Sequence, residues 1–198
     1  MIRIRGSLVL ALLIVLVPTG ALANGEIKAF EYKDGERWMF RVTEEFGALS
    51  NSEALSGDYE AVFSAERFDF FSVNGEKKEQ VSESQREILL QMFGQGSAYG
   101  GKHIVFPLKV GSSWSVPDYH FRVPGGKKGQ WRSVKISVVA IETAEVEKKK
   151  IPNCYKIVRY DSGPVGNWTL TYWVDPGCKC VAKYTLETNS GMRTMWLK

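Results

Sequence analysis

The sequence predicts a mainly β fold: an antiparallel meander that forms a curved sheet or incomplete barrel, with one short helix packed across it. Apolar and polar residues alternate at a period of two through most of the chain, and turn signals separate the alternating runs. One segment has clear helical periodicity. We find no repeat, low-complexity segment or linker, so about eight to ten strands share one sheet, which must curl or close to protect its edges.

Hairpins and a helix make up the predicted first half. Asp34-Gly35 is a strong turn signal within the hairpin FEYKDGERWMFRV, and Asn74-Gly75 marks a second hairpin. The segment SESQREILLQMF follows as the helix, with Ser82 or Ser84 as its cap, acidic residues in its first turn and Gly94 at its end. We expect this helix to lie across the mouth of the sheet.

Consecutive strands joined by short turns make up the predicted second half. The linking segments, such as DSGPVGN, DPGCK and NSG, are rich in turn-forming residues. The predicted strands are HIVFPL, SSWSV, QWRSVKISVVAIETAEV, CYKIVRY, WTLTYWV, CVAKYTLET and MRTMWLK. Strands that follow one another so closely are expected to pair as antiparallel neighbours.

The first residues predict a secretory signal over residues 1–23. Arg3 and Arg5 form a positive start, residues 8–17 are an unbroken apolar run, and residues 21–23 read ALA, which is typical of a cleavage site. The apolar run is shorter than the roughly 20 residues that cross a bilayer. We therefore expect a single exported domain over residues 24–198, periplasmic or secreted, which is not an integral membrane protein after cleavage.

The charge of the chain gives no support to a nucleic-acid partner. Removal of the signal takes away two arginines and lowers the formal net charge from +4 to +2, whereas nucleic-acid binding normally needs a strongly basic surface. Lysines do cluster at residues 127–128 and 148–150. We interpret these clusters as solvated hairpin tips, and contact with an anionic envelope component is the alternative.

Three cysteines follow the signal, and export into an oxidising compartment favours a disulfide. If Cys154, Val174 and Cys180 align on three neighbouring strands, the outer two are about 10 Å apart, beyond the roughly 7 Å that a disulfide allows between Cα atoms. Cys178 lies in the turn and can lean towards Cys154. We predict a Cys154–Cys178 disulfide with Cys180 free and buried. A Cys154–Cys180 bond is the alternative, and it needs a bulge or a different register.

The sequence predicts no catalytic, cofactor or metal site. Asp118 lies two residues before His120, and we interpret this pair as a surface feature; His103 has no partner at ligand spacing. The segment GQGSAYGG is not a nucleophile elbow, because glycine is missing two residues before and after Ser97. A thiol redox centre is disfavoured, since the cysteines are spaced Cys-x-Cys on a strand rather than Cys-x-x-Cys at a helix N-terminus.

Three short segments of the second half stand in a characteristic order: FPLKVGSSW, CYKI and YWVDPG. Their order and spacing resemble a family of uncharacterised exported bacterial proteins, and the likeness covers residues 103–184. The chain departs from the family at residues 148–150, where lysines replace Pro-Ala-Gly, and at Cys178 and Cys180, which replace apolar residues. The resemblance implies a β-rich, partly barrel-like envelope domain and supplies no catalytic residues.

We expect a non-enzymatic exported β-domain that binds a hydrophobic ligand or lipid. Aromatic residues make up 12% of the chain and include six tryptophans, and a curved sheet lined with large side chains can enclose an apolar cavity. The alternative function is a hydrolase-type envelope enzyme whose site the sequence does not reveal.

Overall fold

The computed structural model describes residues 26–46, 55–95, 104–121, 130–164 and 166–198, except for the side chains of residues 46, 117–121 and 130–131. The predicted signal, His103 and the lysines at 127–128 lie outside the described residues. In the part of the chain that is described, no helix has the length and apolar character needed to span a membrane.

Ten strands form one antiparallel sheet in the described residues. In chain order these strands are β1 (Arg37–Phe46), β2 (Gly57–Ser64), β3 (Arg67–Asn74), β4 (Lys77–Gln80), β5 (Ser113–Phe121), β6 (Gln130–Val146), β7 (Lys149–Ser162), β8 (Trp168–Asp175), β9 (Cys180–Thr188) and β10 (Gly191–Leu197). Their spatial order is β4-β3-β2-β1-β10-β9-β8-β7-β6-β5. Among the described residues, β1 with β10 is thus the one hydrogen-bonded pairing between strands that are not consecutive in the sequence.

The sheet stays open. Strands β4 and β5 are its two edges and do not pair with each other, so the sheet does not close into a barrel. All neighbouring strands of the sheet pair in the antiparallel sense, and short turns between consecutive strands require this direction. The predicted mainly β meander with a single short helix is therefore confirmed.

The predicted helix α1 lies at Glu83–Leu89, and a 3₁₀ turn continues it over Leu90–Phe93. Ser82 is its cap: the Ser82 hydroxyl accepts from the backbone N–H of Gln85, and the Gln85 side chain accepts from the backbone N–H of Ser82. The chain leaves the 3₁₀ turn at Gly94, whose left-handed φ of 69° suits glycine. The start, the cap and the end of the helical segment are as predicted.

The first predicted hairpin is wrong, whereas the second is confirmed. The turn at Asp34-Gly35 is present, but residues 28–33 do not form a strand. Both sides of β1 are occupied, by β2 and by β10, so no free edge remains for those residues. The N–H of Gly35 bonds instead to the carbonyl of Phe63 at 2.9 Å. At Gly75-Glu76, one residue later than the predicted Asn74-Gly75 turn, the chain turns and joins β3 to β4 as an antiparallel hairpin.

The main core lies between one face of the sheet, here called the inner face, and the helical segment. Phe93 of the 3₁₀ turn stacks on Phe68 of β3, with ring centroids 3.8 Å apart. Trp38 of β1 packs edge-on against Phe93 at 5.1 Å, and Leu89 and Met92 are fully buried beside them. Burial of these large apolar side chains holds the helical segment on the sheet.

The long β6–β7 hairpin bends back over the opposite, outer face of the sheet. Two bulges interrupt its pairing and allow the bend. Glu147 at its tip forms an ion pair with Arg41 of β1 at 3.7 Å, although β8, β9 and β10 lie between β7 and β1 in the sheet. Ala144 packs with Cys154 and Ala182 in a small second cluster beneath the hairpin. The lysines at 148–150 are exposed at this hairpin tip, as predicted.

Candidate functional site

An apolar cavity opens at one end of the main core, beside the 3₁₀ turn. Its volume is about 390 Å³, within the roughly 300–1,000 Å³ typical of small-molecule sites. Most of the side chains that line it are aromatic or aliphatic, and they include Ala29, Phe30, Tyr32, Phe93, Ile104 and Phe106. We call this space the aromatic cavity.

An isolated antiparallel bridge holds one wall of the aromatic cavity. The N–H of Ile27 donates to the carbonyl of Leu108 at 3.2 Å, and the N–H of Leu108 donates back to Ile27 at 2.8 Å. This bridge brings Phe30 edge-on against Phe106, with ring centroids 5.1 Å apart. Two segments that are distant in the sequence therefore build one apolar surface.

The opposite wall depends on Gly94. A Cβ atom at this position would lie only 2.7 Å from the Cβ of Ile104. Ile104 therefore packs directly against the backbone where the 3₁₀ turn ends, next to Phe93. A larger residue at position 94 would both strain the left-handed backbone and displace Ile104 from the wall.

Tyr32 connects the aromatic cavity to the turn between β8 and β9. Its ring lines the cavity, and its hydroxyl donates to the carbonyl of Lys179 at 2.9 Å. Burial raises the pKa of Tyr32 far above its ordinary value, and the neighbouring Cys180 and Cys178 raise it further. The hydroxyl therefore stays protonated and acts as a hydrogen-bond donor.

Residues 178–180, here called the cysteine turn, are held in place by side chains from the other end of the chain. The indole N–H of Trp38 donates to the carbonyl of Cys178 at 2.8 Å. The Lys179 ammonium donates to the Glu36 carboxylate at 2.7 Å, and this hydrogen bond lowers the pKa of Glu36. Lys179 itself has a left-handed backbone, with φ at 58°. The turn is thus fixed by tertiary contacts rather than by local sequence.

The structure does not contain the predicted Cys154–Cys178 disulfide: all three cysteines are free thiols. Cys154 packs in the small cluster with Ala144 and Ala182, and its thiol donates to the carbonyl of Ile151 at 3.4 Å. Cys178 packs against the main core instead. Its sulfur lies 2.8 Å from the sulfur of Cys180. Cys180 is buried, as expected.

The strand register differs from the one on which the Cys154–Cys178 prediction was based. Val174 pairs with Tyr155 on one side and with Val181 on the other, so both partners are one residue beyond the assumed Cys154 and Cys180. A bulge between Trp173 and Val174 changes the register of β9 against β8 by one residue. Cys154 and Cys180 do lie on strands separated by β8, as assumed.

Two of the thiols are held in their protonated form. Burial raises the pKa of Cys154 to about 12, and the negative charge of Asp175 contributes to the rise. Burial also raises the pKa of Cys180 well above its ordinary value, and the contact with Cys178 adds to this effect. Since the thiolate is the reactive form, neither buried sulfur is activated for attack on a reagent in solvent at neutral pH.

A buried charged cluster occupies another part of the inner face. The guanidinium of Arg159 binds both carboxylate oxygens of Asp161, at 2.6 and 2.9 Å, and both side chains are fully buried. Arg132 stacks on the ring of Trp168 at 3.7 Å and donates to the carbonyl of Gly166 at 2.8 Å. This cluster was not predicted from the sequence, although charged residues at core-facing positions of alternating strands were the available signal.

No metal centre is evident in the described part of the chain: it contains no group of three or more His, Cys, Asp or Glu residues placed to hold an ion. His103 lies outside the described residues, and the backbone of His120 lies in β5 while its side chain is not described.

The residues of the aromatic cavity were also missed by sequence reasoning, which interpreted most aromatic residues as core. Phe30, Phe93 and Phe106 come from three separate segments, so no spacing in the sequence connects them.

No protein-family model matches the chain, and neither a curated protein nor a solved structure matches it. The function is therefore inferred from the residues themselves.

Proposed function

We propose that the protein is a non-enzymatic binding domain that holds a small apolar ligand, such as an acyl chain, in the aromatic cavity. The observation that carries this proposal is the nature of the cavity wall. Phe30 and Phe106 are half-buried, and together with the buried Ile104 they present carbon surface to the cavity. The hydroxyl of Tyr32 is already engaged by Lys179.

The energetics of such a wall favour apolar ligands. Each Å² of apolar surface removed from water contributes about 25 cal/mol, and aromatic rings offer broad, rigid contact area. A strongly polar ligand would lose hydration in this space without gaining matching hydrogen bonds, which is costly. An acyl chain or a similar hydrocarbon group therefore suits the cavity best.

The proposal includes export to the periplasm or the cell exterior. Residues 1–23 have the charge, the apolar run and the small residues of a secretory signal, and the resemblance to an exported family agrees with this location. The ligand would then be a lipid or a lipid-derived component of the cell envelope.

Displacement of a fluorescent fatty acid from the purified protein tests the proposal, with native mass spectrometry as a second readout. The variant Ala29→Trp fills the cavity from an exposed position, and we expect it to weaken probe binding by about tenfold or more, or about 1.4 kcal/mol. The matched control is Val139→Trp, which places the same side chain on an exposed part of β6, where Val139 is 46% exposed.

Two outcomes contradict the binding proposal. One is a wild-type protein that binds no probe in either assay. The other is equal binding by Ala29→Trp and Val139→Trp, since the probe would then lie elsewhere. Catalytic turnover of a p-nitrophenyl acyl ester by the wild type would replace the proposal with the hydrolase alternative.

A further inference from the structure

We propose that Cys178 and Cys180 form a disulfide with each other when the protein is oxidised, and that Cys154 remains a thiol. The two sulfurs lie 2.8 Å apart, closer than the ordinary contact distance of two unbonded sulfur atoms and near to bonding distance. This modification site is distinct from the proposed ligand function, and neither depends on the other.

The backbone of the cysteine turn brings the two sulfurs together. Residues two positions apart on an extended strand are separated by roughly 6.6 Å, near the upper limit for a disulfide. Lys179 interrupts the extended conformation with its left-handed φ of 58°. A side chain other than glycine rarely adopts this conformation unless surrounding contacts impose it.

Three hydrogen bonds impose that conformation from outside the turn. The Trp38 indole holds the carbonyl of Cys178 at 2.8 Å, and the Tyr32 hydroxyl holds the carbonyl of Lys179 at 2.9 Å. The ammonium of Lys179 is fixed by Glu36 at 2.7 Å. The folded protein therefore prepares the contact between the two thiols before any bond forms.

Cys154 is kept out of the reaction by its position. It is fully buried in the cluster with Ala144 and Ala182, beneath the β6–β7 hairpin. Its thiol donates to the carbonyl of Ile151 on its own strand. Cys178 is the partly exposed thiol of the three, so it is the one that an external disulfide reaches first.

Oxidation proceeds by exchange with an external disulfide, such as oxidised glutathione or the disulfide of an oxidoreductase. Cys178 gives its proton to solvent and attacks one sulfur of that disulfide, which forms a mixed disulfide and releases one thiol. Cys180 then gives up its proton and attacks the sulfur of Cys178, which forms the Cys178–Cys180 bond and releases the second thiol. Two protein thiols are oxidised, and one external disulfide is reduced to two thiols.

Trypsin makes the pairing directly readable, because each cysteine lies in a different tryptic peptide. Cleavage after lysine and arginine gives peptides 151–156, 160–179 and 180–183, which carry Cys154, Cys178 and Cys180 respectively. The folded protein is treated with oxidised glutathione, denatured in the presence of N-ethylmaleimide so that buried thiols are also blocked, digested without reductant and analysed by mass spectrometry.

We expect peptides 160–179 and 180–183 to be joined by a disulfide, or recovered as an uncleaved peptide 160–183 that lacks two hydrogens. Peptide 151–156 should carry N-ethylmaleimide. A disulfide that includes peptide 151–156 overturns the proposal. So does full alkylation of all three peptides after the oxidation step, provided that reduced, denatured protein takes up glutathione under the same conditions.

Single substitutions separate the two steps. Cys154→Ser should oxidise like the wild type, whereas Cys178→Ser should give no intramolecular bond. Cys180→Ser should stop at the first step and retain glutathione on Cys178. Retention of glutathione on Cys154 in any variant contradicts the assigned order of reaction.

Discussion

The hydroxyl of Tyr32 donates a hydrogen bond to the carbonyl of Lys179 at 2.9 Å, across 147 positions of the sequence. The ring of Tyr32 lines the aromatic cavity, and Lys179 stands between the two cysteines of the cysteine turn. One side chain thus contributes to the cavity wall and to the geometry of the thiol pair. Its ring also packs edge-on against Phe68 at 4.9 Å, which ties both features to the main core.

Replacement of Tyr32 by phenylalanine removes this hydrogen bond and keeps the ring. We expect the free energy of unfolding to fall by about 1–3 kcal/mol, because the carbonyl of Lys179 loses its donor in a partly buried place. Urea denaturation followed by tryptophan fluorescence measures the change. Tyr160→Phe is the matched control, since Tyr160 is 44% exposed on β7. Equal losses in the two variants would contradict a specific role of the Tyr32 hydroxyl.

The buried Arg159–Asp161 pair makes a second stability prediction. Asp161→Asn keeps the shape of the side chain but removes the charge that neutralises the guanidinium of Arg159. Removing one partner of a buried ion pair typically costs about 3–5 kcal/mol, and we expect a loss of this size in denaturation experiments.

The control for Asp161→Asn is Glu145→Gln on β6. Glu145 pairs with Lys150 at 3.4 Å, and these side chains are 71% and 76% exposed. Exposed ion pairs contribute at most about 1 kcal/mol. A loss for Asp161→Asn as small as that for Glu145→Gln would show that the buried pair is dispensable.

The lowered pKa of Asp58 predicts that the stability of the fold depends on pH. Hydrogen bonds from Arg41 lower the pKa of Asp58 from 3.8 to about 2, and Lys198 contributes to the shift. Because the folded-state pKa is lower than the unfolded one, the carboxylate stabilises the fold above the unfolded pKa, and this contribution is lost as the pH falls towards 2.

The comparison of wild type with Asp58→Asn isolates this effect. We expect the wild type to be more stable by about 1 kcal/mol at pH 6, since the ion pair is partly exposed. The difference should shrink between about pH 4 and pH 2. Urea unfolding at a series of pH values measures it, and a difference that stays constant down to pH 2 would exclude Asp58 as the titrating group.

Cleavage of the proposed signal is tested by N-terminal sequencing of protein recovered from the periplasm or the medium. We expect the mature chain to begin at Asn24, because the small residues at 21–23 suit signal peptidase. Ala23→Phe should block cleavage and leave the protein attached to the membrane fraction. Recovery of a soluble chain that still begins at Met1 would contradict the proposal.

Much of the fold follows from local patterns. Alternation predicted the strands of the sheet, although in HIVFPL, also predicted as a strand, the described residues form only the bridge at Leu108. Asn74-Gly75 predicted the β3–β4 hairpin, and the Ser82 cap and Gly94 marked the limits of the helical segment. These features depend on a few neighbouring residues and on backbone preferences, so one stretch of sequence contains the needed information. The pattern at residues 28–33 predicted a strand that does not form. Alternation indicates an extended backbone, but it does not show whether a sheet edge is free to pair with it.

The strand register around the cysteines could not be predicted in this way. A bulge between Trp173 and Val174 moves β9 by one position against β8, and a one-residue shift changes which side chains face each other. The left-handed conformation of Lys179 then turns Cys178 towards Cys180. Contacts from Tyr32 and other residues distant in sequence support the conformation of Lys179.

The sequence by itself determined the mainly β class, the single helical segment, the candidate signal and the surplus of aromatic residues, since composition and short-range periodicity carry that information. Only the tertiary structure decided the open edges of the sheet, the register of β7, β8 and β9, the aromatic cavity and the contact between Cys178 and Cys180. Each of these depends on where distant segments meet, and that position is set by the packing of the whole core and by the hydrogen bonds that it permits.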